Sequence, residues 1–531
     1  MAIAVALVSG TGIDYVPSDS RVYDDFDLLK TSGLIASMPY TSRPWTRREC
    51  VRLLAEALEQ AARRELTVPQ QSALQRLLYE FGEDIDREDF RRPLVRITVP
   101  DVEHGRVAGD LFSRAGICRW RQHDSAAGSA TRDRRVFSVG AVLNNRPRDR
   151  FALYERAEIE VFSPRQRDVW DSTGCHLPGS RAAGFHEFLK FEIEHAYLAW
   201  LLPWVRFELG RDRMRWGPGY LSSAMLSDQA PSFDHIQLSA SYTNFRFISF
   251  TSILSNWNRK IHRFLSAQRV EASLWHRLTL GAAMMNVYSW ESLSIAPIGG
   301  FVNPLLPGYL EAANSYHWSN LLVGFDANLY MPSVRGYCQL MIDNYEFNTR
   351  GVAPNCVATQ AGLYWAPNIP VEVRIEYASV TAFTYYHRLH FIMYENYGVP
   401  LGHELGPDAD RWWARLRFVP AGAVQLGVWS DFTRRGFYNR GDYRRKSFWY
   451  ESESLHTPLP TEFPSLGRDP SGNLIEEVDR TWRVGPEIEW WAARRLRLSA
   501  GADYWLSSNF NGEIGLDRGG FEWNLRVEYR Y

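Results

Sequence analysis

Four groups of residues could do chemistry. Glu158/Glu160 and Glu192/Glu194 are carboxylates two positions apart in extended-looking stretches. A strand would set each pair side by side on one face, as a glycosidase acid/base pair requires. Nearly every alternating stretch in the chain carries such a pair, however, so the pattern selects no site. His403-Glu404 with Asp408 and Asp410 supplies metal-ligand types. They lack the HExxH spacing that puts two histidines on one helix face, and neighbouring Gly and Pro mark a loop turn instead. Arg211, Arg213 and Arg215 run into Trp216-Gly-Pro-Gly-Tyr220, a set of guanidinium groups and aromatic faces suited to an acidic or sugar ligand. The stretch 434–477 repeats that mixture with Arg444, Arg445, Trp449 and Tyr450. No nucleophile elbow, phosphate loop or dinucleotide fingerprint occurs. These groups point to binding rather than catalysis, with no cofactor and no metal.

The elements that must position these residues are strands. From Gly520 to Tyr531 the chain reads GFEWNLRVEYRY, with Phe521, Trp523, Leu525, Val527, Tyr529 and Tyr531 on one face. Glu522, Asn524, Arg526, Glu528 and Arg530 take the other. Residues 189–194, 371–376 and 412–418 alternate in the same way. A soluble sandwich and a membrane barrel both alternate, so connection lengths decide. About eighteen strands start near residues 94, 136, 151, 185, 202, 233, 243, 262, 276, 317, 333, 355, 369, 410, 422, 478, 494 and 519. Their connections switch between tight turns (145–150, 202–203, 242–244 and so on) and long loops (110–135, 163–184, 213–232, 290–316, 385–409, 434–477 among them). Tight turns on one rim and long loops on the other are the pattern of an outer-membrane barrel.

Composition agrees. Aromatics make up 14%, with 20 Trp and 26 Tyr, and the net charge is -1. Such a balance offers no basic field for nucleic acid. Mean hydropathy is -0.32 and no apolar run is long enough for a membrane helix, a test that barrel strands pass because half of each is polar. Five scattered cysteines give neither a zinc site nor a disulfide framework. Residues 1–20 read as an export-signal remnant or a flexible N-terminus. Residues 21–92 read as a small helical bundle, with a helix over 23–32, a capping box at Thr46–Glu49 and a third helix after Pro69. Residues 93–531 make the barrel.

The stretch Leu209-Gly-Arg-Asp-Arg-Met-Arg-Trp-Gly-Pro-Gly-Tyr220, followed by Leu226-Ser-Asp-Gln-Ala-Pro-Ser-Phe-Asp234, resembles the Wzi capsule-assembly family. Gly398-Val-Pro-Leu-Gly-His-Glu-Leu-Gly-Pro-Asp-Ala-Asp410 and the region 23–46 are similar to that family too. The resemblance implies an all-β transmembrane barrel in the outer membrane with a periplasmic helical bundle. It further implies a lectin-like role in holding capsular or other surface polysaccharide. Partners implied or expected are surface polysaccharide, outer-membrane lipid and periplasmic or export-machinery proteins at the bundle. A saccharide diffusion channel and an outer-membrane enzyme acting on glycan or lipid are the competing readings.

Within the motif, Gly217, Pro218 and Gly219 make a sharp turn, and Gly210, Ser227, Asp228 and Pro231 complete the structural frame. Strict alternation puts Asp212 in the lumen and Arg211 and Arg213 outside. Arginine in lipid is costly, so either the strand has left the membrane there or a bulge at Gly210 turns both inward. Sugar contacts are expected from Arg211, Arg213, Arg215, Trp216 and Tyr220, and from Arg444, Arg445, Trp449 and Tyr450. Trp257, Tyr309, Tyr316 and Tyr397 would join them on the outer loops. The same arginines could instead pair with lumen carboxylates and brace a folded-in loop.

Overall fold

The structure is a computed structural model, described over residues 12–85, 95–98, 106–124, 128–148, 150–163, 189–255, 261–290, 319–344, 355–387, 389–436, 478–510 and 515–530. Eighteen antiparallel strands close a barrel. They are β1 (Arg106–Asp124), β2 (Gly128–Arg148), β3 (Phe151–Ser163), β4 (Leu189–Leu201), β5 (Val205–Asp212), β6 (Phe233–Tyr242), β7 (Phe245–Leu254), β8 (His262–Leu274) and β9 (Leu278–Trp290). The ring continues with β10 (Ser319–Met331), β11 (Val334–Asn344), β12 (Cys356–Trp365), β13 (Val371–Val380), β14 (Ala409–Ala421), β15 (Val424–Arg435), β16 (Asp479–Ala493), β17 (Leu496–Ser508) and β18 (Arg518–Arg530). The seam is β18 on β1, in register from Arg518↔Asp124 to Arg530↔Phe112.

Alternation sets the two faces of the wall. On β18, Phe521 and Leu525 are 47% and 42% exposed while Glu522 and Glu528 are buried inside. The same inversion holds on β14, where Trp412, Leu416 and Phe418 face out and Trp413 and Arg417 face in. An outward apolar band around an inward charged face is what lipid demands and water would penalise. The wall spans a membrane.

The first hairpin corrects the sequence reading. That reading starts a strand near 94 and places a long loop over 110–135. Instead β1 and β2 occupy this stretch, and Val95–Thr98 is only a short strand against the start of β1. Polar residues in β1 look like loop composition because a lumen face accepts charge. Arg114 meets Glu158 at 3.4 Å, and the Cys118 sulfur lies 3.4 Å from Glu522. Cys118 is disulfide-bonded, which the scattered spacing did not suggest, whereas Cys50, Cys338 and Cys356 keep their thiols.

Three helices precede the wall: α1 (Val22–Thr31), α2 (Arg47–Ala61) and α3 (Val68–Phe81). The Thr46–Glu49 capping box forms in full and starts α2. Phe26, Leu54, Leu77 and Phe81 are buried between the helices. The helices sit against the tight-turn end of the barrel. Lys30 donates to the carbonyls of Ile35, Ala36 and His276, the last at 3.1 Å in the β8–β9 turn. The Ser333 amide, in the β10–β11 turn, donates to Thr31. Tyr364 and Ala366 of the wall belong to the same apolar cluster as the helices.

Candidate functional site

The segment after β5 leaves the wall at Asp212 and turns into the lumen. Gly210, at φ +153°, allows the close approach of β4: a Cβ there would stand 2.2 Å from the Ala196 carbonyl oxygen. No bulge forms at Gly210, since β5 pairs in unbroken register with both neighbours. The extra residue is Glu194 in β4, where the register shifts between Arg156 and Ala157. The three arginines therefore part company. Arg211 stays outside and makes a bidentate pair with Asp234 on the exposed face, both bonds at 2.8 Å. Arg213 turns in to Glu194 at 3.2 Å. Arg215 is buried and donates to the carbonyls of Gly219, Tyr220 and Ser222, which holds the Gly-Pro-Gly turn closed.

Trp216, expected on an outer loop, is 1% exposed. It packs edge-on against Phe250 of β7 and lies in one cluster with Met214, Met225, Leu226, Leu265 and Met285. Apolar bulk belongs there because the neighbouring lumen wall presents Ala267, Ala283 and Met341 rather than charge. Gly217, at φ +114°, and Gly219 let the turn press against Gln339 and Gln360. Tyr220 stacks on Trp413 at 5.4 Å, under the guanidinium of Arg374 at 3.9 Å, and its hydroxyl reaches Asp24 of α1. Ser227 and Asp228 are buried, and the Pro231 carbonyl accepts from Asn396.

A second segment, between β13 and β14, folds in on top of the first. Tyr385 and Tyr394 donate to the carbonyls of Ala224 and Met225 at 2.8 and 2.9 Å. The Ser227 amide donates to the Leu401 carbonyl, and the Glu404 amide to Ser222. Arg263 holds this segment by donating to the carbonyls of Phe391, Met393 and Glu395. His403 lies buried in a turn, its Nδ1 accepting from the Leu405 amide at 3.2 Å. Burial first, and then the positive charge of Arg411, push its pKa down to about 3. Among the described residues no group of three or more metal-ligand side chains comes together.

A third segment enters from the other end. Residues 42–43 pair with 215–216 as a two-stranded ribbon, and Thr41 bonds to Glu271, Asp326 and Arg269. The wall opposite these segments is laced by buried ion pairs: Arg206–Glu208, Arg269–Glu271 at 2.8 Å and Arg269–Asp326 at 2.7 Å. Buried charges of this kind persist only when each is answered. Most inward side chains of β6 to β13 are buried against these segments. Of the other expected contact residues, Tyr397 is 60% exposed at the outer tip of the second segment. Arg444, Arg445, Trp449, Tyr450, Trp257, Tyr309 and Tyr316 lie outside the described residues. Sequence reasoning had no signal for Asp27, Arg335 and Arg374, a buried triad that joins α1 to the wall.

A family model described as capsule assembly protein Wzi matches residues 123–436, more than half of the chain. Among solved structures the chain is similar to Wzi of Escherichia coli, with 14% identity and a TM-score of 0.58, covering 96% of this chain and 98% of that one. That protein is described as a carbohydrate-binding outer-membrane β-barrel involved in group 1 capsule assembly. A BenF-like porin from Pseudomonas fluorescens is a looser match, at 8% identity and a TM-score of 0.46, over 80% of this chain and 98% of the porin. A comparison with curated protein sequences finds no match. The chain belongs to the Wzi capsule assembly family.

Proposed function

We propose that this Wzi-family barrel is a lectin-like attachment protein that holds capsular or other surface polysaccharide at the outer face of the outer membrane. The observation that carries this reading is the plug. Two inward-folded segments and the 41–43 ribbon fill half of the lumen with buried side chains, which argues against a diffusion route through that half. The E. coli relative's described carbohydrate binding supports the same reading.

The helices, on this reading, lie in the periplasm and meet export-machinery proteins there, while the long connections face outward and the apolar band meets outer-membrane lipid. Binding rather than catalysis is supported by the state of the lumen carboxylates. Glu158, Glu194, Glu208 and Glu271 each face an arginine within 4 Å, and a paired carboxylate is poorly placed to act as a general acid.

The test uses purified full-length protein against an array of bacterial surface glycans, with conductance in a planar bilayer measured in parallel. Selective glycan binding with little conductance is expected. Large steady conductance without glycan binding would favour the channel.

A further inference from the structure

The other half of the lumen is lined differently. On β16 two inward side chains at mid-height keep contact with solvent: Glu487 is 32% and Arg483 26% exposed, whereas Arg269 on the packed side is 0%. At the centre stands Trp429 of β15. Val428 on one side of it is 50% exposed to the membrane, so Trp429 points into the lumen. Its indole is only partly buried, and it belongs to none of the apolar clusters. Register places Arg415 directly opposite it on β14 and Gly485 on β16. Along its own strand the inward neighbours are Gly427 and Asp431. Two of its four nearest inward neighbours therefore have no side chain; Glu487 lies over Gly427, and the β17 backbone at Ala502 stands against Gly485.

We propose that Trp429 is the platform of a carbohydrate subsite inside the lumen, one that takes an uncharged pyranose residue of the polymer; the proposal rests on the lectin-like reading above. A pyranose presents an apolar C–H face and a rim of hydroxyls, so its site needs an aromatic plane edged by donors and acceptors. Towards the helices that edge is the Arg415–Glu487 pair at 3.7 Å, which reaches across Gly427. Towards the long-loop end it is Asp431, 3.7 Å from Arg411, with Arg483 opposite it in register. The edge offers acceptors (Glu487, Asp431) beside donors (Arg415, Arg411, Arg483), and each of these arginines already faces a carboxylate, which suits hydroxyls better than a phosphate or a uronate. The slot is closed at the helical end, where Arg21 pairs with Glu489 and both Arg21 and Arg76 cover Trp491. On this reading a chain end enters from the side of the long loops.

The experiment is calorimetric titration of full-length detergent-solubilised barrel with short oligosaccharides cut from the source cell's surface polysaccharide. Trp429→Leu keeps apolar bulk and removes the aromatic face; it should weaken binding about tenfold. Trp429→Phe should stay within about threefold of wild type. Equal affinity of wild type and Trp429→Leu overturns the subsite while leaving surface attachment intact. No binding by wild type overturns both. Should Trp429→Leu not yield a heat-resistant barrel, Glu487→Gln decides: about fivefold weaker binding supports the subsite, and unchanged affinity overturns it.

Discussion

The carboxylate of Asp27 in α1 accepts from Arg374 of β13 at 2.9 Å, across 347 residues of sequence. The same carboxylate oxygen takes Arg335 of β11 at 2.7 Å, and Arg335 also donates to the Pro218 carbonyl in the plug. One helix side chain thereby ties the bundle, the wall and the plug together. Asp27→Ala would strand two buried guanidinium groups, a change that costs about 3–5 kcal/mol. The expected outcome is loss of bundle docking, read as protease cleavage between α1 and α3 while the wall still resists heat.

The pH dependence of that docking has a definite sign. Burial works to raise the Asp27 pKa, but Arg335 and Arg374 outweigh it and hold it below 3.8. A carboxylate depressed in the folded state adds stability that is complete above its unfolded pKa and lost as pH falls through the lower folded value. Docking should be constant through neutral pH and fail only in strong acid. Bundle proteolysis that rises between pH 7 and pH 5 would overturn this.

His403 gives the same sign in a higher window for the second inward-folded segment. Its pKa falls from 6.5 to about 3 on folding, so the unfolded segment takes up a proton that the folded one refuses. Stability is full above 6.5 and declines as pH drops, by about 1.4 kcal/mol per pH unit. Cleavage of residues 381–408 by added protease should therefore rise between pH 6.5 and 4. In His403→Gln that rise should vanish.

Arg211 and Arg213 should now behave differently. The Arg211–Asp234 pair has side chains 39% and 57% exposed, and removing it should change stability by no more than about 1 kcal/mol. Arg213→Ala leaves Glu194 buried and short of a partner, and Trp216→Ala opens a cavity worth about 3–5 kcal/mol. Thermal shifts of the refolded barrels measure both. A similar loss in Arg211→Ala and Arg213→Ala would contradict the inward turn at Asp212.

The closing strand tests the wall. Leu525→Arg places a charge in the lipid-facing band at about 2–4 kcal/mol, and folded barrel yield should drop sharply. Arg526→Leu, on the lumen side, should be milder. Equal yields would reverse the assigned faces.

Much of this was legible in the chain itself. Strand faces on β18, β13 and β14 follow from period-two alternation, and the number of strands follows from turn spacing, because both are local consequences of backbone geometry. The capping box at Thr46 is local too. Where composition and architecture disagree, locality fails. Arg106–Asp124 looks like a loop yet forms the seam strand, since the lumen supplies carboxylates such as Glu158 from strands that lie elsewhere in the sequence. Trp216 and Arg215 look like ligands by type alone, and the chain could not say that the segment bearing them would turn inward at Asp212. That turn exists because Phe250, Leu265 and Met285, on three different strands, assemble an apolar wall only once the barrel has closed. Likewise Asp27 finds Arg335 and Arg374, and Trp429 finds Arg415 and Gly485, only through the register of neighbouring strands. Alternation and turn chemistry determined the barrel from sequence; which side chains meet inside it was decided by closure, because closure brings together residues that no local spacing relates.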